Sequence, residues 1–464
     1  MSLSIVIMAA GKGTRMKSAR PKVLHKLAGR SMLSHVIETT ATLHATQQVL
    51  IIGHGAELVE SSMRAAFAGA PLQFVRQEPQ LGTGHAVQQA LPVLPDDGIT
   101  LILNGDTPLI RASTAQALVD ACAGDKLALL TINLADATGY GRIVRDAVSG
   151  HVLAIVEHKD ASDAQRQIKE VYTGVMAAPT AQLKQWLARL TNDNAQGEFY
   201  LTDVVAFAQA DGVTVVSAQP VDEVEVLGVN SPLQLAELER RFQRTQADRL
   251  LEQGVRLADP ARFDLRGSLQ VGRDVDIDVN CIFEGQVSLG DEAQIGANCV
   301  IRNAVIGKGV VIHPFTHIDG DTLGVTVGDG SLIGPFARLR PGAQLGAEVH
   351  IGNFVEVKNT TMAKGAKANH LAYLGDADVG ERVNYGAGSI TANYDGANKH
   401  RTVIGDDVHI GSNCVLIAPI TLGDGATIGG GSTVSKDAPA GQLTVARAKQ
   451  VSLGGWQRPQ KIKR

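Results

Sequence analysis

Apolar residues follow two rhythms along this chain, and the change falls near Gly254. Up to about Asn230, short apolar runs alternate with longer amphipathic stretches. Ile5-Val6-Ile7-Met8 and residues 48–53, 100–104 and 127–131 are short enough for buried strands. Residues 32–42 and 114–122 carry the spacing of helices. Strands alternating with helices predict a mostly parallel sheet covered on both faces, with ligands beyond the C-terminal ends of its strands. Ser231-Pro232 then combines a good N-cap with a residue suited to a first helical turn. Residues 233–253 continue as a charged helix with Leu235, Leu238 and Phe242 on one face, which reads as a rigid connector.

Beyond Gly254 an aliphatic residue followed by glycine recurs in pairs six residues apart. The pairs are Leu289-Gly290 with Ile295-Gly296, Val327-Gly328 with Ile333-Gly334, Leu345-Gly346 with Ile351-Gly352, Ile404-Gly405 with Ile410-Gly411, and Leu422-Gly423 with Ile428-Gly429. This is the hexapeptide signature of a parallel β-helix. Each short strand turns its aliphatic side chain into a narrow core, and stacked coils bury what one coil cannot. The repeat breaks between Lys358 and Ile404, where polar segments predict loops that carry chemistry. The expected boundaries are 1–230 for the α/β domain, 231–254 for the helical connector and 255–464 for the repeat domain with its tail.

Composition narrows the setting. A chain of 464 residues exceeds one hydrophobic core. A net charge of −4 with no long basic block argues against a nucleic-acid partner. No segment is apolar for long enough to span a bilayer, and the N-terminus lacks the basic start of a signal peptide. Cys122, Cys281, Cys299 and Cys414 are widely spaced and form no Cys-x-x-Cys, which fits reduced thiols in a cytoplasmic protein.

The candidate chemistry begins where the first strand ends. Gly11 and Gly13 flank Lys12, and such a turn points successive backbone N–H groups at an anion. Lys12 and Arg15 add positive charge, and an arginine can grip phosphate with two parallel bonds. Neither the P-loop nor the dinucleotide fingerprint is complete here. Gln77 lies in a polar, glycine-broken segment, and an amide that both donates and accepts suits the edge of a uracil ring. Asn104-Gly105-Asp106 closes a strand, where a carboxylate is placed either to hold Mg²⁺ or to cap a turn. In the repeat domain His370 is the natural general base, with a structural histidine as the alternative.

Several motifs resemble the sugar-nucleotidyltransferase family. They are Gly11-x-Gly13-Thr14-Arg15 with Pro21-Lys22, the run Leu81-Gly82-Thr83-Gly84-His85-Ala86, Asn104-Gly105-Asp106, Gly139-Tyr140-Gly141-Arg142, Glu157-His158-Lys159-Asp160 and Gly228-Val229-Asn230. The resemblance implies a Rossmann-like α/β nucleotidyltransferase domain. A nucleoside triphosphate would lie over Met8, Ala9, Ala10 and Gly11, with Arg15 and Lys22 as catalytic cations. Gln77, Gly82 and Thr83 would meet the base, and Asn104 and Gly105 would line the site. Asp106 and Asn230 would hold Mg²⁺. Gly141, Glu157 and Tyr172 would contact the sugar. Two departures stand out: Asn104 replaces a tyrosine of some relatives, and Tyr172-Thr173-Gly174 replaces the family's Asn-Thr-Gly.

The run from Asn369 to Asp376, with Asn384-Tyr385-Gly386-Ala387-Gly388 and Thr391-Ala392-Asn393-Tyr394, extends the likeness over nearly the full length. It resembles the bacterial bifunctional uridylyltransferase/acetyltransferase family that acts on N-acetylglucosamine-1-phosphate and glucosamine-1-phosphate. That resemblance implies a left-handed β-helix and a homotrimer whose acetyl site forms between neighbours. It also implies small-molecule substrates, with acetyl-CoA and UTP as co-substrates. The product would be UDP-N-acetylglucosamine for cell-wall and lipopolysaccharide precursors. His370 would be the base and Glu356 would orient it. Arg338, Lys358, Tyr373 and Asn384 would bind glucosamine-1-phosphate. Ala387, Asn393, Tyr394, Ser412, Gly430 and Arg447 would bind acetyl-CoA, with Gly430 standing where some relatives have alanine. Two readings from other classes are a sugar-nucleotide-binding regulator without turnover and a β-helix that serves only as a scaffold.

Overall fold

The computed structural model describes residues 2–461. The chain splits into two compact units, Met1–Phe242 and Gln243–Arg464, with the division inside the helix Pro232–Glu252.

In the first unit the apolar runs pair as one sheet. Its strand order is Val215–Ala218, Leu127–Asn133, Glu170–Pro179, Ile99–Asn104, Leu3–Ala9, Gln47–Ile52 and Leu72–Arg76. Leu3–Ala9 is central and pairs in parallel with both Gln47–Ile52 and Ile99–Asn104. These strands are apolar throughout because both faces are covered. Ile5, Ile7 and Leu103 pack with Leu33 and Val36 on one face, and Val6 and Ile102 pack with Met176 and Trp186 on the other. The predicted helices form as Met32–Ala41, capped by the Ser31 hydroxyl, and Ala112–Cys122. Glu170–Pro179 runs antiparallel to both of its neighbours and carries Tyr172. The sequence reading did not single it out as a strand.

In the second unit each short strand pairs in parallel with the strand one coil on. One inward column reads Ile277, Ile295, Ile312, Ile333, Ile351, Ala368, Tyr385, Ile410 and Ile428, all buried. The break expected between Lys358 and Ile404 is much smaller than the sequence suggested. Coils continue through it with Ala368, Leu374, Val379 and Tyr385 turned inward and buried. A coil needs only an inward side chain that fills its volume, so alanine beneath tyrosine serves as well as two isoleucines. The real excursion is the stretch between strands Ile390–Ala392 and Thr402–Ile404. All four cysteines are free and buried. Burial pushes the Cys281 thiol up to about 12 and Cys299 to about 11, so neither is a ready nucleophile.

Candidate active sites

In the first unit, Met8 and Asn104 lie side by side where two parallel strands end. The glycine loop and Asp106 therefore leave the same edge of the sheet. The Gly105 N–H donates to the Met8 carbonyl at 2.9 Å, and the Val229 N–H donates to the Asp106 carbonyl at 3.0 Å. The second contact brings Asn230 to Asp106 across the sequence. The Lys22 ammonium ion-pairs with Asp106 and donates to Asn230 Oδ1 at 3.0 Å. Gly13 makes room for this lysine. It sits at φ +59°, and a Cβ there would lie 2.7 Å from the Cβ of Lys22.

A cavity of about 430 Å³ opens over this edge, lined by Met8, Ala9, Ala10, Gly11, Lys12, Lys22, Gln77, Gly82, Thr83, Asn104 and Asp106. Arg15 does not line it; this side chain is exposed on the turn Thr14–Met16. Gln77 donates from its amide to the Gly82 carbonyl at 2.9 Å, which leaves the Gln77 carbonyl to accept. Gly82, at φ +113°, lets that loop press on the Phe199 backbone, where a Cβ would meet the carbonyl oxygen at 2.6 Å.

A carboxylate and an amide carbonyl converge on one cation, the Lys22 ammonium, so the pair is built to face positive charge. Both are hard oxygen donors of the kind Mg²⁺ takes. Among the described residues no cluster of three or more His, Cys, Asp or Glu side chains could hold a metal. An ion at Asp106 and Asn230 would complete its shell with water and phosphate oxygens.

A smaller cavity of about 210 Å³ shares Met8, Thr83 and Asn104 with the first and adds Gly141, Glu157, Tyr172 and Thr202. Burial raises the Glu157 carboxyl above its ordinary range, although the Thr202 hydroxyl donates to it at 3.2 Å. Buried Arg142 donates to the Tyr140 carbonyl and, at 3.2 Å, to His158 Nδ1. It thereby ties the Gly139–Gly141 segment to the Glu157–His158 segment.

In the second unit, four residues precede the same corner on successive coils. They are His370, Ala387, Ser412 and Gly430, and the corner residues Leu371, Gly388, Asn413 and Gly431 all have positive φ. Backbone bonds lock this column. Gly388 N–H donates to His370 O at 3.2 Å, Asn413 N–H to Ala387 O at 2.7 Å, and Gly431 N–H to Ser412 O at 2.8 Å. Arg447 Nη1 reaches the Gly430 carbonyl at 2.6 Å. A strip of small residues thus leads away from His370, with an arginine at its end.

His370 Nδ1 lies 3.1 Å from Asn353 Oδ1, its register neighbour on the preceding coil. The amide carbonyl can only accept, so this contact favours the tautomer that carries its proton on Nδ1 and leaves the Nε2 lone pair free. Sequence reasoning gave the orienting role to Glu356, but no hydrogen bond joins Glu356 to His370. Glu356 instead holds Arg340 at 2.8 Å and Arg338 at 3.3 Å. Beside them Lys358 sits 3.8 Å from buried Asp376, which also accepts from Asn359 and Asn393. The Lys399 side chain, and then partial burial, hold the Lys358 ammonium below the usual lysine range. Tyr373 stacks in register on Glu356, and its hydroxyl rests against Gly375. Asn384 is exposed between Lys367 and His409 on adjoining coils. Tyr394 is exposed on the excursion and donates to the Gly396 carbonyl at 2.6 Å.

Residues 5–197 match the MobA-like NTP transferase domain. Residues 324–359 and 401–436 match the bacterial transferase hexapeptide of six repeats, and 286–314 the hexapeptide repeat of succinyl-transferase. A curated relative from Methylibium petroleiphilum is 75% identical across 99% of both chains. One from Polaromonas sp. is 67% identical over 99% of this chain and 98% of its own. One from Azoarcus sp. is 58% identical over 99% of this chain and 100% of its own. All three carry the name Bifunctional protein GlmU. The chain belongs to the bifunctional GlmU family. It is a bifunctional transferase, a uridylyltransferase followed by a hexapeptide acetyltransferase. It acetylates glucosamine-1-phosphate from acetyl-CoA and transfers UMP from UTP to N-acetylglucosamine-1-phosphate, giving UDP-N-acetylglucosamine and pyrophosphate.

Three residues escaped the sequence reading. Asn353 lies one coil before His370, a relation visible only once the repeat is followed through the weakly patterned coils. Arg340 was legible, because in Arg338-Leu339-Arg340 a period-two strand turns both arginines outward around buried Leu339. Lys399 carried no signal, since it reaches Lys358 only through the excursion.

Proposed function

We propose that each unit carries one complete set of reacting groups, within functional boundaries of 1–230, 231–254 and 255–464. In the first, Asp106 and Asn230 would hold Mg²⁺, and Lys22, which pairs with both in the free site, moves onto the phosphates when UTP enters. The ion when bound neutralises charge on the phosphates. Lys12 and the loop N–H groups cradle the phosphates, Arg15 closes over them from the exposed turn, and Gln77 accepts from the base. Glu157 accepts from sugar hydroxyls beside Gly141. The sugar phosphate attacks the α-phosphorus in line, a reaction that needs positioning and charge neutralisation rather than covalent help.

In the second unit, His370 Nε2 removes a proton from the amine of glucosamine-1-phosphate, which then attacks the acetyl thioester. Asn353 fixes the tautomer. Arg338, Arg340 and Lys358 bind the sugar phosphate, with Glu356 aiming the arginines, and Tyr373 and Asn384 contact the sugar. Acetyl-CoA lies along Ala387, Ser412 and Gly430 toward Arg447, flanked by Asn393 and Tyr394. The observation that carries this reading is the contact of His370 Nδ1 with Asn353 Oδ1 at 3.1 Å.

We also infer a homotrimer in the cytoplasm. Supporting the first is an exposed ladder, Phe315, Phe336 and Phe354, with ring centroids 5.0 and 5.3 Å apart. It occupies the same corner column as Leu371 beside His370. Apolar ladders of this kind call for cover by a partner chain. Supporting the second are four unpaired thiols. Among the described residues no helix is long and apolar enough to cross a membrane.

Two assays on one sample test the division of labour. CoA thiol release with glucosamine-1-phosphate should be lost in His370→Ala and survive EDTA. Pyrophosphate release with N-acetylglucosamine-1-phosphate should be lost in Asp106→Ala and on EDTA treatment. Loss of both activities in either variant would contradict the two-site reading. Light scattering tests the trimer.

A further inference from the structure

The first half of the helix Pro232–Glu252, residues 232–242, is seated on the first unit. Its Leu238 is buried with Met16, Leu27, Met32 and Val229, and Leu235 and Phe242 pack on the same cluster. Met16 follows Arg15 in the chain and Val229 precedes Asn230, so this cluster adjoins two of the site residues in sequence. Glu239 accepts from the buried Ala28 N–H at 2.7 Å, and the Phe242 ring meets His35 edge-on with centroids 6.0 Å apart. The helix therefore starts from a fixed support. At that start the Asn230 N–H donates to Gln234 Oε1 at 2.8 Å. The Gln234 N–H donates in return to Ser231 Oγ at 3.3 Å, and the Leu235 N–H to the Ser231 carbonyl at 3.0 Å. This is the exchange of a capping box, with the glutamine reaching one residue farther back. On the other side the Val229 N–H is held by the Asp106 carbonyl at 3.0 Å. The Asn230 backbone is thus pinned before and after the residue whose Oδ1 accepts from Lys22 at 3.0 Å.

We propose that Gln234 is a positioning residue of UMP transfer, which holds the Asn230 backbone so that Oδ1 stays aimed at the point it shares with Asp106. Gln234 is exposed and does not line the nucleotide cavity, so its action runs through Asn230 alone. Helix formation by itself does not call for glutamine here, because alanine is the better helix former. What glutamine adds is an acceptor long enough to reach back to the Asn230 N–H. A ligand held in place by its supporting hydrogen bonds keeps its geometry when the ion arrives, and loss of such a support weakens metal binding. The inference rests on the reading of Asp106 and Asn230 as the residues that hold the ion.

Gln234→Ala removes the acceptor and leaves a good helix former. Mn²⁺ titrated calorimetrically into the full-length, substrate-free variant should bind about fivefold more weakly than to wild type. UMP transfer should fall by about the same factor, while acetyl transfer stays within twofold of wild type. The decisive step is a double-mutant cycle with Asn230→Ala. In that background Gln234→Ala should change neither Mn²⁺ affinity nor UMP transfer by more than twofold, because the group it positions is gone. A Mn²⁺ affinity within twofold of wild type for Gln234→Ala alone would overturn the proposal. So would full additivity in the cycle, which would assign Gln234 a general structural role. If Asn230→Ala alone binds Mn²⁺ as wild type does, the metal reading of Asn230 fails, and the proposal falls with it.

Discussion

Lys22 bridges Asp106 and Asn230, pairing with the carboxylate and donating to the amide oxygen at 3.0 Å. The three residues are far apart in sequence, and the substrate-free site already holds a positive charge where a divalent cation is proposed. An ion bound there would compete with Lys22 for the same two oxygens. Lys22→Ala should tighten Mn²⁺ binding to the substrate-free protein by about tenfold while slowing UMP transfer by about a hundredfold. Calorimetric titration checks the first, and weaker metal binding would refute the competition.

Gly13→Ala probes the same lysine from behind. The left-handed backbone costs a non-glycine residue about 1–2 kcal/mol, and the new methyl would press on the Lys22 Cβ at 2.7 Å. Pyrophosphate release should fall more than tenfold while CoA release stays at wild-type level. Equal loss of both would point to general misfolding.

Asn353→Ala leaves His370 without the acceptor that fixes its tautomer. Acetyl transfer should drop about 10- to 100-fold through kcat, with UMP transfer unchanged. Asn353→Asp, which still accepts, should recover most of that loss. If both variants behave alike, orientation through Nδ1 is not what Asn353 supplies.

If Glu157 binds the sugar as proposed, UMP transfer should show an acid limb. The ionised carboxylate accepts from sugar hydroxyls at both oxygens, and protonation turns one of them into a donor and weakens the other as an acceptor. Burial, joined by the charges of Asp160, Asp203 and Glu198, makes it protonate at a higher pH than an ordinary glutamate. The sugar KM should climb as pH falls through that raised value, and Glu157→Gln should flatten the climb. The stability sign is opposite. A carboxyl with a raised folded-state pKa stabilises below its unfolded value and loses that contribution as pH rises through the folded one. Glu157→Gln should therefore melt slightly higher than wild type at neutral pH.

Ile312→Ala tests the repeat core. Ile312 is fully buried between Ile295 and Ile333 on adjoining coils. Truncation should cost about 2–5 kcal/mol, read as a lower melting temperature with acetyl transfer lost first on heating. A shift under one degree would mean that the column repacks around the gap.

The periodic features were legible because they are local. A six-residue recurrence of aliphatic and glycine fixes a coil wherever it occurs, and an apolar strand followed by Gly-x-Gly marks a tight turn, which only the family resemblance made a phosphate site. Asp106 could be read as a strand-end carboxylate. Its meeting with Asn230 came through resemblance, since nothing in the spacing joins them. The coils around Ala368 and Tyr385 escaped because their inward residues break the aliphatic pattern while still filling the core.

The sequence by itself determined the two architectures, their order, and the chemical types that carry the reactions. Strand period, turn residues and hexapeptide repeat are all encoded within a few neighbouring positions. Tertiary structure alone decided the partners: Asn353 rather than Glu356 beside His370, and Lys22 between Asp106 and Asn230. Those relations depend on how coils stack and strands register across long separations. Packing sets that geometry for the whole domain at once, so no local pattern spells it out.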